Sequence, residues 1–544
     1  MKEREIVYEV FVKTFNAHKS NVGNIKGINE KLEYLKSLGV TQVWISPFYE
    51  SDFEDSGYDV INYYKVDPSL GTNKDFEELI EKANELDMKI MIDLVLNHCS
   101  DKNEWFQKAL KGDKKYMEYF YFRDPKPDGS VPNNWMSKFG GSAWEYVEEL
   151  DKYYMHLFTK NQPDFNWENE ELRNEIIKIL NFWIEKGVRG FRFDVCNLYS
   201  KAEGLPDDTT DYGGRNLYTN GPRMHEYLKF LNQNSFGNVK DFLTVGEMLT
   251  SNMEIMIEYV RQENKELDVI FDFNHMKVDF EGKVKWLYKK PDIKEFKRII
   301  TELQEYYQEQ NCLLSLFFNN HDQPRSVSRF GNDSKYWYES ATSFATYLYL
   351  QRGIPFVYQG EEIGMTNYNF KDNDDFFDVE TKNNVEIFRN KGLSEEEIFK
   401  IVDSKCRDHS RTVMQWENKK YAGFSENEPQ IKVNPNYEKI NVADQLKDKN
   451  SILNFYSFIL NMKKNSEALG EGKIEFLDKN SQLCSYKRVG SKDEYLIVAN
   501  LFEEQLSNDL NLDFKDYEVL FNNYKDLNTG EFKPYQCVIL HKTY

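Results

Sequence analysis

Cysteine is scarce in this chain of 544 residues. The six present, Cys99, Cys196, Cys312, Cys406, Cys484 and Cys537, are scattered, and no two form a C-x-x-C pair. That spacing argues against a disulfide or thiolate-zinc framework and suits free thiols in a reducing cytosol. Long apolar runs are missing too. The most apolar stretches, residues 89–95 and 354–358, fall far short of the ~20 residues that a membrane-spanning helix needs. The start, Met1-Lys2-Glu3-Arg4-Glu5-Ile6, is charged and lacks the apolar core of a secretory signal, so the expected location is cytoplasmic. Basic charge is in deficit, with 70 Lys and Arg against 91 Asp and Glu, a net of −21. The deficit argues against general affinity for nucleic acid or for an anionic membrane, while a small anion needs only a local basic pocket. No internal repeat and no low-complexity tract is visible.

What is present reads as an ordinary globular chain. Hydrophobic residues make up 40% and aromatics 15%, enough to bury a sizeable core. Near-continuous apolar strands alternate with helical spacing. Residues 6–12, 43–45, 89–95, 190–195, 243–246, 269–273, 313–317 and 354–358 read as strands, and residues 28–38, 76–86 and 172–186 as helices. Strands of this kind separated by helices imply a parallel sheet covered on both faces. Eight of them match a (β/α)8 TIM barrel, of the α/β class. The rhythm breaks between about His98 and Glu170, a stretch rich in Tyr, Trp, Asn, Gly and Pro. After about Ala468 it changes to short β-like runs. The expected organisation is therefore a barrel over 1–98 and 171–467, an inserted subdomain over 99–170 after strand three, and a C-terminal antiparallel β-sandwich domain over 468–544.

A barrel demands working residues at the C-terminal ends of its strands. Strand three runs out into Asp93, Asn97 and His98, strand four into Arg192 and Asp194, strand five into Glu247, and strand seven into His321 and Asp322. Each alone has a bland reading: an Asp at a strand end is commonly a helix cap, a His a satisfied core residue, and Arg192 with Asp194 a plain ion pair. Together they are harder to dismiss. Residues i and i+2 of a strand share a face, so Arg192 and Asp194 point into the same barrel mouth. Three carboxylates and an arginine in one crevice are costly to desolvate unless they serve each other or a ligand.

These residues resemble the α-amylase family of glycoside hydrolases. The matching segments are residues 93–98 (DLVLNH), 190–195 (GFRFDV), 245–248 (VGEM) and 319–325 (NNHDQPR), with 162–166 (QPDFN) and 353–364 (GIPFVYQGEEIG). The resemblance runs in order over nearly the whole chain. It implies a retaining mechanism through a covalent glycosyl-enzyme, with Asp194 as nucleophile, Glu247 as general acid/base and Asp322 as the third carboxylate, which holds sugar hydroxyls. It implies that Arg192 keeps the nucleophile ionised and that His98 and His321 donate to hydroxyls of the sugar being cleaved. Such a site needs one carboxylate charged and one protonated, about 5–5.5 Å apart. The resemblance implies neither an organic cofactor nor a catalytic metal.

Further segments narrow the resemblance. Residues 57–59 (GYD) and 407–412 (RDHSRT) resemble those that close the sugar site in exo-acting α-glucosidases. They imply that Tyr58 stacks on the glucose ring and that Asp59 and Arg411 pair to grip its terminal hydroxyls; the plain alternative is a surface salt bridge. Val195 after the nucleophile, with residues 137–145 (SKFGGSAWE), 218–226 (YTNGPRMHE) and 274–280 (NHMKVDF), resembles the branch that cleaves phosphorylated trehalose or α-1,6 links. A phosphorylated disaccharide as small-molecule partner implies cationic donors at the outer, leaving-group site. Lys277 and Lys138 are the candidates, with Arg223, His275 and Lys285 behind them. The plain reading of each lysine is a solvated surface charge.

Some positions depart from the family. Residues 16–24, after strand one, replace an Asp-rich calcium loop but carry no carboxylate, so calcium is expected to bind weakly or not at all. His409 and Val413 stand where relatives usually show Asn and Pro, and Phe377 where many carry Arg. The expected activity is hydrolysis of α,α-trehalose 6-phosphate. The alternatives are an oligo-1,6-glucosidase and, from another class, a non-catalytic binding protein on the same fold. No nucleic-acid or membrane partner is expected, and the chain is expected to be a monomer or weak homo-oligomer.

Overall fold

A computed structural model describes residues 2–248, 252–282, 284–477 and 481–544. Eight parallel strands form the centre: β1 (Val7–Val10), β2 (Gln42–Ile45), β3 (Lys89–Leu94), β4 (Gly190–Phe193), β5 (Leu243–Met248), β6 (Val269–Asp272), β7 (Ser315–Leu316) and β8 (Ile354–Tyr358). Their hydrogen-bonded order is β6-β5-β4-β3-β2-β1-β8-β7. The seam between β6 and β7 is spanned by the Ser315 hydroxyl, which donates to the Ile270 carbonyl at 2.7 Å. The strands are apolar because both faces are covered, one by the barrel interior and one by helices. The expected strand over 313–317 shortens to Ser315–Leu316, and the one over 190–195 stops at Phe193.

Local chemistry sets the helices. Ile25–Ser37 buries Ile25, Ile28, Leu32 and Leu35; Asn24 caps its start, and Gly39, at φ +97°, turns the chain away after its end. Asn73–Glu85 starts at a reciprocal Thr72–Asp75 capping box. Glu170–Glu185 starts on the Asn169 side chain and buries Leu172, Ile176, Ile179, Leu180 and Trp183.

Four additions shape the mouth and flank of the barrel. After β2, the strands Tyr49–Ser51 and Val60–Val66 pair as an antiparallel hairpin. After β3, Phe122–Arg123, Trp144–Val147 and Lys152–Met155 form a three-stranded sheet with its own core around Trp135, Trp144, Met155 and Leu157. Lys201 ties this insertion to the barrel, its ammonium 3.0 Å from Asp164 and 3.3 Å from Asn97 Oδ1, all buried. After β8, the helices Val379–Asn390 and Glu395–Asp403 share a core with Phe370 and Phe376, an addition that strand counting does not anticipate. Beyond residue 472 comes an antiparallel sheet ordered Lys473–Phe476, Cys484–Val489, Asp493–Ala499, Cys537–Thr543, Glu518–Asn522. One face packs on the helix Trp337–Tyr349, where the Tyr486 hydroxyl donates to the Tyr347 carbonyl at 2.9 Å. The other face meets the ribbon Leu506–Ser507/Glu531–Phe532 through Leu496, Val498, Phe532, Val538 and Leu540.

All six cysteines are buried and unpaired. Among the described residues no helix is long and apolar enough to cross a membrane. In the loop after β1, Asn16 and His18 both bind Glu30, at 3.0 and 2.5 Å, while the Asn24 side chain caps Gly27. With its side chains so engaged and no carboxylate of its own, the loop does not fit a hard cation.

Candidate active site

The C-terminal ends of β3, β4 and β5 converge on one guanidinium. Arg192 is buried, and its Nη1 lies 2.8 Å from Asp93 Oδ1 and 2.6 Å from Asp194 Oδ1, while Nη2 lies 2.6 Å from Glu247 Oε2. Asp93 sits opposite Arg192 in the β3–β4 register. Asp194 follows the last residue of β4, and Val195 then adopts φ 37°, ψ 45°. A β-branched residue in the left-handed region is an outlier, held here by the packing around it. It ends the strand abruptly and leaves the Asp194 carboxylate at the tip. The rings of Trp44 and Tyr58 lie 5.3 and 5.7 Å from the Arg192 cation.

If every acid of this cluster were ionised, the three negative charges and one positive charge would sum to −2 in a buried space. Burial raises the Asp93 carboxyl to about 6 against the pull of Arg192, and raises Asp194 against the same pull. Three acids around one cation disfavour full ionisation, so the coupled groups hold a shared proton to higher pH than isolated carboxyls would. A general acid requires that proton.

Asp322, after β7, has the opposite surroundings. Arg407 and Arg411 reach its Oδ1 at 3.1 and 2.8 Å, and His321 Nε2 lies 3.4 Å from its Oδ2. Burial alone would raise this carboxyl, but His321, Arg407 and Arg411 outweigh it and hold it well below the usual carboxylate range. Asp322 is thus a fixed anion, suited to accept hydrogen bonds from hydroxyls.

Asp194, Glu247 and Asp322 all face one cavity of about 240 Å³. Tyr58, His98 and the Asp55–Arg407 pair line its inner part; Phe139, Phe158, Phe273 and Phe280 supply apolar walls. His98 Nε2 is 3.1 Å from the Tyr58 carbonyl and 3.2 Å from Gln162 Nε2. Three lysines reach the lining: Lys138 from the insertion, Lys277 from the turn after β6, and Lys285. Lys285 is paired with Glu380 at 2.8 Å. Lys138 makes no ion pair among the described residues; its ammonium lies 4.9 Å from the centre of the Tyr218 ring. Burial, reinforced by the nearby Arg215, lowers it to about 7, against the pull of Glu247 and Asp164.

The structure corrects several expected positions. Asp59 and Arg411 do not pair. The Asp59 carboxylate accepts from the Glu54 and Asp55 amides at 3.2 Å, within its own turn. Arg411 binds Ser56, Asp378, Asp322 and the His321 carbonyl. The pair at the closed end is Asp55 with Arg407, at 2.8 Å, each four residues earlier. Positive φ at Ser56 (56°) and Gly57 (105°) reverses the chain, so Asp55 and not Asp59 faces the cavity. His321 does not line the cavity; it lies behind Tyr58, stacked at 5.4 Å, and its Nδ1 meets Glu9. Arg223 sits outside the cavity on Glu226, at 2.6 Å. His275 is buried against the Phe317 carbonyl at 2.9 Å. Asp55, Arg407 and the phenylalanine walls escaped the sequence reading. The only signals for the pair were an acid two residues before Gly57 and the first arginine of residues 407–412.

Residues 9–472 match the model of the alpha amylase catalytic domain. The chain is 39% identical to a trehalose-6-phosphate hydrolase of Bacillus subtilis, over 99% of this chain and 98% of that protein. It is 40% identical to an oligo-1,6-glucosidase of Bacillus cereus, with the same coverage. The crystal structure of a Bacillus licheniformis trehalose-6-phosphate hydrolase superposes with a TM-score of 0.93 at 39% identity, covering 99% of each chain. With the barrel, the strand-end acids and matches along its whole length in agreement, this chain belongs to the alpha-amylase family of glycoside hydrolases.

Proposed function

We propose that the chain is a retaining α-glucosidase that hydrolyses α,α-trehalose 6-phosphate to glucose and glucose 6-phosphate. The unphosphorylated glucose enters the inner end, beside Tyr58, His98 and the Asp55–Arg407 pair. Asp194 attacks its C1, the bond from C1 to the bridging oxygen breaks, and Glu247 gives its proton to that oxygen, releasing glucose 6-phosphate. Glu247, now a carboxylate, takes a proton from water while the water oxygen displaces Asp194 from C1. Asp322 accepts from sugar hydroxyls, and Arg192 orients both reacting acids.

The observation that carries the choice of substrate is Lys138. A half-buried lysine without an acid partner among the described residues lines the outer cavity of a strongly acidic chain, with Lys277 on the same lining. A phosphate dianion supplies the counter-charge that this lysine lacks. The likeness to trehalose-6-phosphate hydrolases supports the same reading. A product assay tests it: glucose 6-phosphate is expected from trehalose 6-phosphate much faster than glucose from isomaltose. Much faster cleavage of isomaltose would favour the second reading, an oligo-1,6-glucosidase, which the 40% identity to the Bacillus cereus enzyme keeps in view.

A further inference from the structure

Beneath the cavity lies a buried acid that the reaction does not use. Glu9 stands on β1, in register with Trp44 of β2 and Tyr358 of β8, and is 2% exposed. An ionisable side chain inside a barrel core is costly unless it is engaged. Glu9 Oε1 lies 2.5 Å from His321 Nδ1. On the other side of that ring, Nε2 lies 2.8 Å from the Tyr58 hydroxyl, which donates to Asp93 Oδ2 at 3.0 Å. Asp93 in turn binds Arg192, which holds Asp194 and Glu247. One chain of hydrogen bonds therefore joins Glu9 to both reacting acids.

We propose that Glu9 is a positioning residue that, through His321, sets the direction in which Tyr58 donates, and so fixes the Asp93–Arg192 arm that orients Asp194. The proton count makes the link. With one proton between Glu9 and Nδ1 and another on Nε2, the ring donates to Tyr58 and Tyr58 donates to Asp93. Removal of one proton leaves Nε2 as an acceptor; Tyr58 then donates to His321 and abandons Asp93.

The surroundings favour the proton-bearing state near neutrality. Burial raises Glu9 well above the usual carboxylate range; Arg192 opposes this, while Asp322 and Asp93 reinforce it. Burial pushes His321 down to about 3, with Asp322 opposing and Arg411, Arg192 and Arg407 reinforcing, so the shared proton rests on the Glu9 side. Tyr358, the register partner of Glu9, donates its hydroxyl to the Ser410 carbonyl at 2.8 Å and stays protonated, since burial pushes it above its ordinary value. The inference rests on this cavity being an α-glucoside site but not on the phosphate.

The test is the pH profile of kcat/KM for a neutral probe, p-nitrophenyl α-glucoside, in wild type and in Glu9→Gln. The glutamine amide does not titrate, and with its NH2 turned to Nδ1 it keeps a proton on Nε2 at every pH. The alkaline limb, where Glu247 must also stay protonated, is therefore expected to become shallower or to move up by about one pH unit, with kcat/KM at the optimum held within about threefold. Glu9→Ala, which removes the anchor, should cost tenfold or more. A Glu9→Gln limb that superimposes on that of wild type overturns the proposal, and so does a collapse of kcat/KM with the limb unmoved. Wild type alone supplies a check if the variants misfold: nitrogen-edited proton NMR should show the His321 ring proton on Nε2 below the alkaline limb and on Nδ1, facing the Glu9 carboxylate, above it, and a ring proton that stays on Nε2 throughout also counts against Glu9. Wild type active on the probe but not on trehalose 6-phosphate would sink the substrate assignment and leave this test intact.

Discussion

The two halves of the cavity handle charge in opposite ways. At the inner end every cation has an acid: Arg192 serves Asp93, Asp194 and Glu247, and Arg407 serves Asp55 and Asp322. These groups leave rigid strand ends or short turns, and each is held by its neighbours. At the outer end Lys138 lies on a loop of the insertion, lines the cavity and has no acid partner among the described residues. Paired charge positions a reaction; a half-buried cation with no acid partner is free to take an anionic ligand. On the proposed function, the contrast separates chemistry, in the inner half, from choice of leaving group, in the outer half.

Substitutions that hit one half and spare the other sharpen that contrast. The largest effect is expected for Asp194→Asn, which should lower kcat by about 10⁴-fold or more on phosphorylated and neutral α-glucosides alike. A small loss in single-turnover kinetics would remove Asp194 from the reaction. Arg407→Ala comes next. It strips Asp55 and Asp322 of a buried partner, a change that typically costs about 3–5 kcal/mol of stability, so a lower melting temperature should accompany poor turnover of every substrate. Unchanged melting and kinetics would show the pair to be dispensable.

Lys138→Gln should divide the substrates. Loss of one charge-assisted contact to phosphate is worth about 1.5–3 kcal/mol, or roughly 10–100-fold in kcat/KM for trehalose 6-phosphate, with isomaltose changed far less. Equal losses would make Lys138 structural.

The smallest effect is in pH. A phosphate favours the charged lysine, and Lys138 titrates near 7 in the empty site. Affinity for the phosphorylated sugar should therefore weaken as pH rises above 7. It should also weaken as pH falls below the second phosphate pKa of about 6, where the ligand loses charge. KM for trehalose 6-phosphate measured from pH 5 to 9 should pass through a minimum between these values, and Lys138→Gln should lose the alkaline rise.

Much of the inner half was legible in the sequence for a physical reason. Barrel strands are apolar runs, a polar residue at their ends stands out, and the two-residue period of a strand puts Arg192 and Asp194 on one face. The closed end was misread because both segments offer two residues of the right type four positions apart: Asp55 and Asp59, Arg407 and Arg411. Only the positive-φ reversal at Ser56 and Gly57 decides which acid enters the cavity. The helices between residues 379 and 403 carry apolar residues at helical spacing, but their docking on Phe370 and Phe376 is tertiary and leaves no local mark. Glu9 stood hidden within an apolar strand, its role set by a histidine 312 residues away.

The most direct test compares trehalose 6-phosphate with trehalose, which differ only by the phosphate. The account predicts a kcat/KM for wild type at least about a hundredfold higher with the phosphate, the span of one to two charge-assisted contacts. Equal values for the two sugars would contradict it, because a cavity indifferent to phosphate has no use for Lys138 as a ligand.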